Sequence, residues 1–158
     1  MSLHKLLVPD FVWNQTIEIF APFTDARLEA GCIWYGRRGD DFNIASVVGV
    51  PKQENNPLNF HIDADSLAEL NEKIGETGLT VVAQVHIHPG VDVEHSFYDD
   101  RMIVSRRIHS LVLPYYGKQP CNTSDAGVHV FRDGSWQLLD SRQAGDAVEV
   151  IPTLVDMR

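Results

Sequence analysis

This sequence predicts a single mixed α/β (α+β) domain: one β-rich sheet with two or three helices packed against it. Three observations carry that expectation. The 158 residues, 17.7 kDa, suffice for one sizeable core and fall short of two ordinary ones, so one domain over 1–158 is expected. Short runs rich in β-branched residues recur between turn signals. Two segments place apolar residues at helical spacing. A content of 44% hydrophobic and 22% charged residues excludes collagen-like, disordered and low-complexity chains.

The elements follow in order. Leu6-Leu7-Val8 reads as a short strand. Pro9-Asp10 then opens a helix with Asp10 as N-cap, Trp13, Ile17 and Phe20 form one apolar face, and Pro22 is the expected stop. Gly31 to Tyr35 is a short apolar run and a buried strand. Asn43 to Val50 is its hairpin partner, with Arg37–Asp41 as the turn. Lys52 to Pro57 is polar and bounded by proline, hence a loop, and Leu58 to Ile62 alternates like an edge strand. Ser66 to Gly75 is the clearest helix. Ser66 and Glu69 are spaced as a capping box, Leu67, Leu70 and Ile74 share a face, and Gly78 follows as a stop. Thr80 to His86 is nearly all apolar and reads as a central strand. Later strands are expected at Ser110–Leu113, Gly127–Arg132 and Ser135–Leu139, the last two joined by an Asp133-Gly134 turn.

The net charge of −9 disfavours contact with a phosphate backbone, so no nucleic-acid partner is expected. No apolar run approaches the ~20 residues of a membrane helix. Met1 to Pro9 shows no signal-peptide h-region, so a cytoplasmic location and no membrane partner are expected. Cys32 and Cys121 lie far apart and form neither a disulfide framework nor a CxxC motif.

Chemistry concentrates between Gln84 and Asp99. His86 and His88 are two apart at a strand end, so both imidazoles point to one face, and Pro89 turns the chain away. Two imidazoles on one face are half of a zinc site. Ser96 and Asp99, three apart, share a face if a helix starts there, and Asp99 then gives a third ligand. Three protein ligands and an open fourth position mark a catalytic zinc. Such a site also needs a general base and a donor to the developing oxyanion, for which the Ser96 hydroxyl is a candidate. Each half alone is weak: HxH occurs by accident on surfaces, and SxxD is a common helix start that Ser96 would merely cap. The same residues also fit a two-His, one-carboxylate iron site, and Glu94 in place of Asp99 would give a cupin-like HxH…E pattern. Against the cupin, the glycine upstream of the pair is misplaced and no second downstream motif stands out. His109 and His129 lie in poor contexts, and His95 and Asp92 either touch substrate or are plain loop polars, the second reading being favoured.

His86-Ile87-His88-Pro89, six residues, then Ser96-Phe97-Tyr98-Asp99 resembles the JAMM motif of the JAB/MPN metallopeptidase family. That motif includes an upstream glutamate before an apolar strand, which here is Glu29 ahead of Gly31–Gly36. The resemblance implies that His86, His88 and Asp99 bind one Zn2+, that Glu29 activates water and that Ser96 stabilises the tetrahedral intermediate. It covers most of the chain and implies a single JAB/MPN-like domain. Ile87, where many members carry Ser or Thr, is a departure on the face away from the metal.

The stretches from Pro51 to Phe60 and from Asp100 to His109 are short and carry no second Cys/His set, as in a bare catalytic core. The resemblance further implies a zinc-dependent peptidase or isopeptidase acting just after the C-terminal tail of a ubiquitin-like protein. Release of an amino acid from a sulfur-carrier protein, cutting of small peptides, and a non-catalytic MPN scaffold are the alternatives. Stand-alone bacterial members often accompany E1- and E2-like proteins, including in antiphage systems.

Overall fold

The computed structural model describes residues 4–153, so part of the Met1–Pro9 stretch lies outside it. Ten strands and four α-helices appear in the order β1 (Lys5–Pro9), α1 (Asp10–Ala26), β2 (Gly31–Arg38), β3 (Phe42–Gly49), β4 (Gln53–Asn55), β5 (Phe60–Ile62), α2 (Ala64–Gly75), β6 (Thr80–Ile87), α3 (Phe97–Met102), β7 (His109–Leu113), β8 (Gly127–Arg132), β9 (Ser135–Leu138), α4 (Ser141–Ala147) and β10 (Val148–Ile151). Eight strands form one mixed sheet in the order β10-β1-β3-β2-β6-β7-β8-β9, and β4 pairs with β5 in a separate hairpin. β1 runs parallel to β10 and β3, and β6 parallel to β7; the remaining pairs are antiparallel. The expected mixed α/β class holds.

β6 has neighbours on both sides, as its apolar run requires, and its alternation divides the two faces. Val85 and Ile87 join Cys32, Trp34, Leu111 and Val128 in the larger core, which includes Val12, Trp13 and Phe20 of α1. Ile33 and Tyr35 face the other way, against Phe60, Ile62 and the Leu67–Leu70–Ile74 face of α2. Gln84 and His86 share that second side, so the strand carries its polar residues toward α2, α3 and the β4–β5 hairpin.

Several local expectations give way to packing. α1 runs four residues past Pro22, because Pro22 lies on the exposed side of a helix whose Val12, Trp13, Thr16 and Phe20 are locked into the core. It ends at Arg27, in the left-handed region at φ 55°, where the Arg27 and Leu28 N–H groups close on Thr24 and Phe23 carbonyls at 3.2 and 3.0 Å. Pro9, not Asp10, precedes the first helical residue, and the Asp10 carboxylate instead accepts the Thr153 N–H at 3.1 Å. α2 begins two residues earlier than its pattern suggests: Asp63 is the N-cap and accepts the Ser66 N–H at 2.7 Å. The Ser66 hydroxyl accepts from Lys52 N–H instead of capping.

The Lys52–Pro57 segment is not simply loop, since Gln53–Asn55 pairs with Phe60–Ile62. Among the described residues four α-helices stand where two or three were expected. α4 is short and has no buried residue, and β10, which follows it, is only four residues long, so neither announced itself. Among the described residues no helix is long and apolar enough to cross a membrane.

Candidate metal centre

The site forms where β6 runs out. His86 and His88 alternate with the core residue Ile87, so both rings emerge on the α3 side. The chain past His88 is laced to the end of β7: His88 N–H donates to Leu113 O at 2.9 Å, Tyr116 N–H to His88 O at 2.6 Å, and Tyr115 N–H to Gly90 O at 2.9 Å. The His88 ring has a separate anchor. Its Nδ1 lies 3.1 Å from the Asp92 carbonyl, which can only accept, so Nδ1 carries the hydrogen and Nε2 faces inward.

α3 supplies the carboxylate. Ser96 is its N-cap: the hydroxyl oxygen accepts the Asp99 N–H at 3.1 Å, and Asp99 Oδ2 accepts the Ser96 N–H at 2.6 Å. This reciprocal cap closes the first turn and fixes the Asp99 side chain. The cap and the metal-site readings of SxxD therefore coexist in one geometry. His86 Nε2 and His88 Nε2 lie 3.1 Å apart, and Asp99 oxygens lie 3.2 Å from His88 Nε2 and 3.6 Å from His86 Nε2. Donors sharing one four-coordinate zinc at about 2.0–2.1 Å stand about 3.4 Å from one another. The three side chains are buried and form the one such metal-capable cluster among the described residues. This donor set fits a divalent ion, and without one a proton must occupy the same place, because two imidazole Nε2 lone pairs cannot face each other at that distance. Burial pushes the His86 imidazole down and keeps it neutral. Burial alone would raise Asp99, but the His86 and His88 imidazoles beside its oxygens and the Ser96 N–H hold its carboxyl well below the usual carboxylate range.

Glu29 stands opposite His88. β2 and β6 pair with Gly31 beside His86, and Ile87 N–H donates to Ala30 O at 3.1 Å. One further step in that register sets Glu29 across from His88, on the same face of the sheet. Glu29 is 4% exposed. Burial pushes its carboxyl up to about 7, against the pull of the His88 imidazole and with Asp99 adding to the rise. Its backbone is held by the β4–β5 hairpin: Glu29 N–H donates to Asn56 O, and Asn55 Nδ2 to Glu29 O, each at 2.9 Å. Gln53 pairs with both backbone groups of Gly31 at 2.9 Å. Phe60 of the same hairpin lies against Gly31, where a side-chain methyl would overlap its ring, and 5.6 Å from the His86 ring. The polar segment Lys52–Pro57 thus holds the Glu29 strand entry in place.

Glu94 is exposed and outside the cluster, which removes the cupin-like pattern. His109 alternates to the far side of β7 from Ser110. His95 is not a loop polar: its side chain is 4% exposed and its ring stacks on His129 with centroids 3.7 Å apart. Asp92 contributes through its carbonyl. Sequence reasoning missed both, since a backbone carbonyl leaves no residue-type signal and a histidine before SxxD looks like any solvated loop residue.

Comparison with known proteins adds two findings. Over 98 residues the chain is 31% identical to "Probable metalloprotease y4jG" of Sinorhizobium fredii. That stretch covers 58% of this chain and 60% of that protein, so the match spans about three fifths of the curated relative. The fold resembles the solution structure of protein DSY2949 from Desulfitobacterium hafniense, with a TM-score of 0.69 at 16% identity over 94% of each chain. No family model matches the chain.

Proposed function

We propose that this chain is a zinc-dependent peptidase of the JAB/MPN type, hydrolysing the peptide or isopeptide bond just after the C-terminal tail of a ubiquitin-like protein. One observation carries the reading: three buried donors converge within 3.1–3.6 Å, beside a buried Glu29 carboxyl that feels the charges of His88 and Asp99. The metalloprotease name of the Sinorhizobium relative supports the coarser part, a metal-dependent hydrolase.

His86, His88 and Asp99 would hold the ion. A zinc ion there would bring the pKa of its water to about 7 and polarise a carbonyl oxygen. Glu29 accepts a proton from the attacking water at its carboxylate and returns it to the leaving amine nitrogen. Burial, which raises the carboxyl to about 7 in the metal-free protein, favours its holding the proton between the two transfers. Ser96 keeps its oxygen on the Asp99 N–H, which leaves its O–H hydrogen to donate to the carbonyl oxygen as negative charge develops there. By analogy with the JAB/MPN family, an extended tail ending in small residues would add as a strand beside the site.

A panel of ubiquitin-like tail fusions and short peptides, offered to the zinc-loaded protein, tests the proposal. Cleavage directly after the tail, lost in Glu29→Ala with zinc retained, is the expected result. Cleavage of short peptides alone would move the substrate to small peptides, and no hydrolysis of any member would leave a non-catalytic scaffold.

A further inference from the structure

Three side chains bracketing the metal centre form an ordered hydrogen-bond chain that the proposed reaction does not use. Asp100 Oδ1 lies 2.9 Å from His95 Nδ1, and His95 Nε2 lies 2.9 Å from Ser110 Oγ. The carboxylate only accepts, so His95 carries its hydrogen on Nδ1, and Nε2 accepts the Ser110 O–H. One face of the His95 ring stacks on His129 at 12° to it, Trp136 meets the ring edge-on at 5.4 Å, and the His86 ring stands 5.9 Å away.

Aspartate, histidine and serine in this order also make up a nucleophilic hydrolase triad. Here the serine cannot act so. Ser110 is fully buried in mid-strand, paired to Gln84 of β6 and His129 of β8, and no substrate carbonyl reaches its Oγ.

Position gives the array a different use. His95 immediately precedes Ser96 and Asp100 immediately follows Asp99, so the pair encloses the four-residue turn that carries the oxyanion donor and the third ligand. α3 is only six residues long and buries Asp99 alone, too little apolar contact to seat itself on the sheet. Gly127 permits the approach from the other side: a methyl there would lie 2.7 Å from Val93 Cβ, in the loop leading to His95.

Building on the proposed metal centre, we infer that His95 is a positioning residue which, through Asp100 and Ser110, pins the Ser96–Asp99 turn to β7 and sets the Asp99 carboxylate against His86 and His88. Ser110 is the fixed point on the sheet, His95 the strut, and Asp100 ties the strut back to the helix.

The test reads zinc affinity by competition with a chromophoric chelator, alongside the thermal midpoint of the metal-free protein. His95→Ala risks unfolding, so the informative variants are Ser110→Ala, Asp100→Ala and Asp100→Asn. Direct outer partners of metal ligands typically change affinity 10–100-fold; Ser110 and Asp100 act one step further out, through His95, so a loss of about tenfold is expected for Ser110→Ala and Asp100→Ala. Asp100→Asn retains an oxygen for the His95 N–H and should restore near wild-type affinity. A purely structural role predicts lower midpoints with unchanged zinc affinity in the folded protein. That result, with the wild type binding zinc, overturns the inference and leaves the metal centre standing. A wild type that binds no zinc overturns both.

Discussion

The Nε2 atoms of His86 and His88 face each other at 3.1 Å inside the protein, with the Asp99 carboxylate closing the triangle. Unpaired, such an arrangement is costly, because buried lone pairs repel and buried polar groups demand partners. A cation at their focus turns the same geometry into a stable one.

Asp99 has two roles that one substitution separates. Asp99→Asn keeps an oxygen for the Ser96 N–H, so the α3 cap survives, but it removes the anionic ligand. The fold should hold, with stability changed by no more than about 1 kcal/mol, the usual worth of a cap. Zinc affinity should fall at least tenfold. Circular dichroism and chelator competition on one sample check both halves.

Glu29 sets the acid side of the pH profile. Burial raises its carboxyl to about 7, and the base form is the ionised one. A dication beside the carboxylate would pull the value of the loaded enzyme below that, so the acid limb should lie below pH 7, where the carboxylate gains a proton and kcat/KM drops about tenfold per pH unit. Glu29→Gln should abolish hydrolysis at every pH while zinc stays bound. A wild-type rate that shows no acid limb down to the pH at which zinc is lost contradicts the assignment.

Most of the site was legible because its donors are residue types with few other reasons to cluster. Strand alternation put His86 and His88 on one face, and SxxD announced a helix start. Glu29 was found through family resemblance, since a glutamate at a helix–strand junction is usually solvated and nothing local marks it as buried. The hairpin that holds it was not legible: Gln53 and Asn55 look like loop residues, and their side chains act through hydrogen bonds to the backbone of Gly31 and Glu29, 22 and 26 residues away. Pro22 misled for a related reason, as its cost in α1 is set by which side of the helix meets water.

Stability should fall in acid through buried histidines. Burial holds the His109 imidazole down at about 4, with Arg132 adding to the effect, and its residue is 1% exposed. An unfolded chain takes up that proton near pH 6.5 and the native chain does not, so the unfolded state binds more protons between the two values. Stability from this group is complete above about pH 6.5 and declines as pH drops toward 4, by up to about 1.4 kcal/mol per unit. Glu29, raised to about 7, shifts stability the opposite way over the same range, so urea unfolding of the wild type and of His109→Gln at pH 7 and pH 5 isolates the His109 share, and an equal pH dependence in the two proteins contradicts it.

Gly31→Ala should disturb the centre without touching a ligand. The added methyl overlaps the Phe60 ring, which is packed beside His86. Overpacking of this kind costs about 1–3 kcal/mol. Weakened zinc binding should accompany that loss, and restoration of both by the double variant Gly31→Ala, Phe60→Leu would trace the effect to the ring.

Elemental analysis of the purified protein, after dialysis against a weak chelator, tests the central claim most directly. The account predicts about one zinc per chain in the wild type and none in His88→Ala or Asp99→Asn. A folded wild type that takes up no divalent metal even when zinc is added contradicts it.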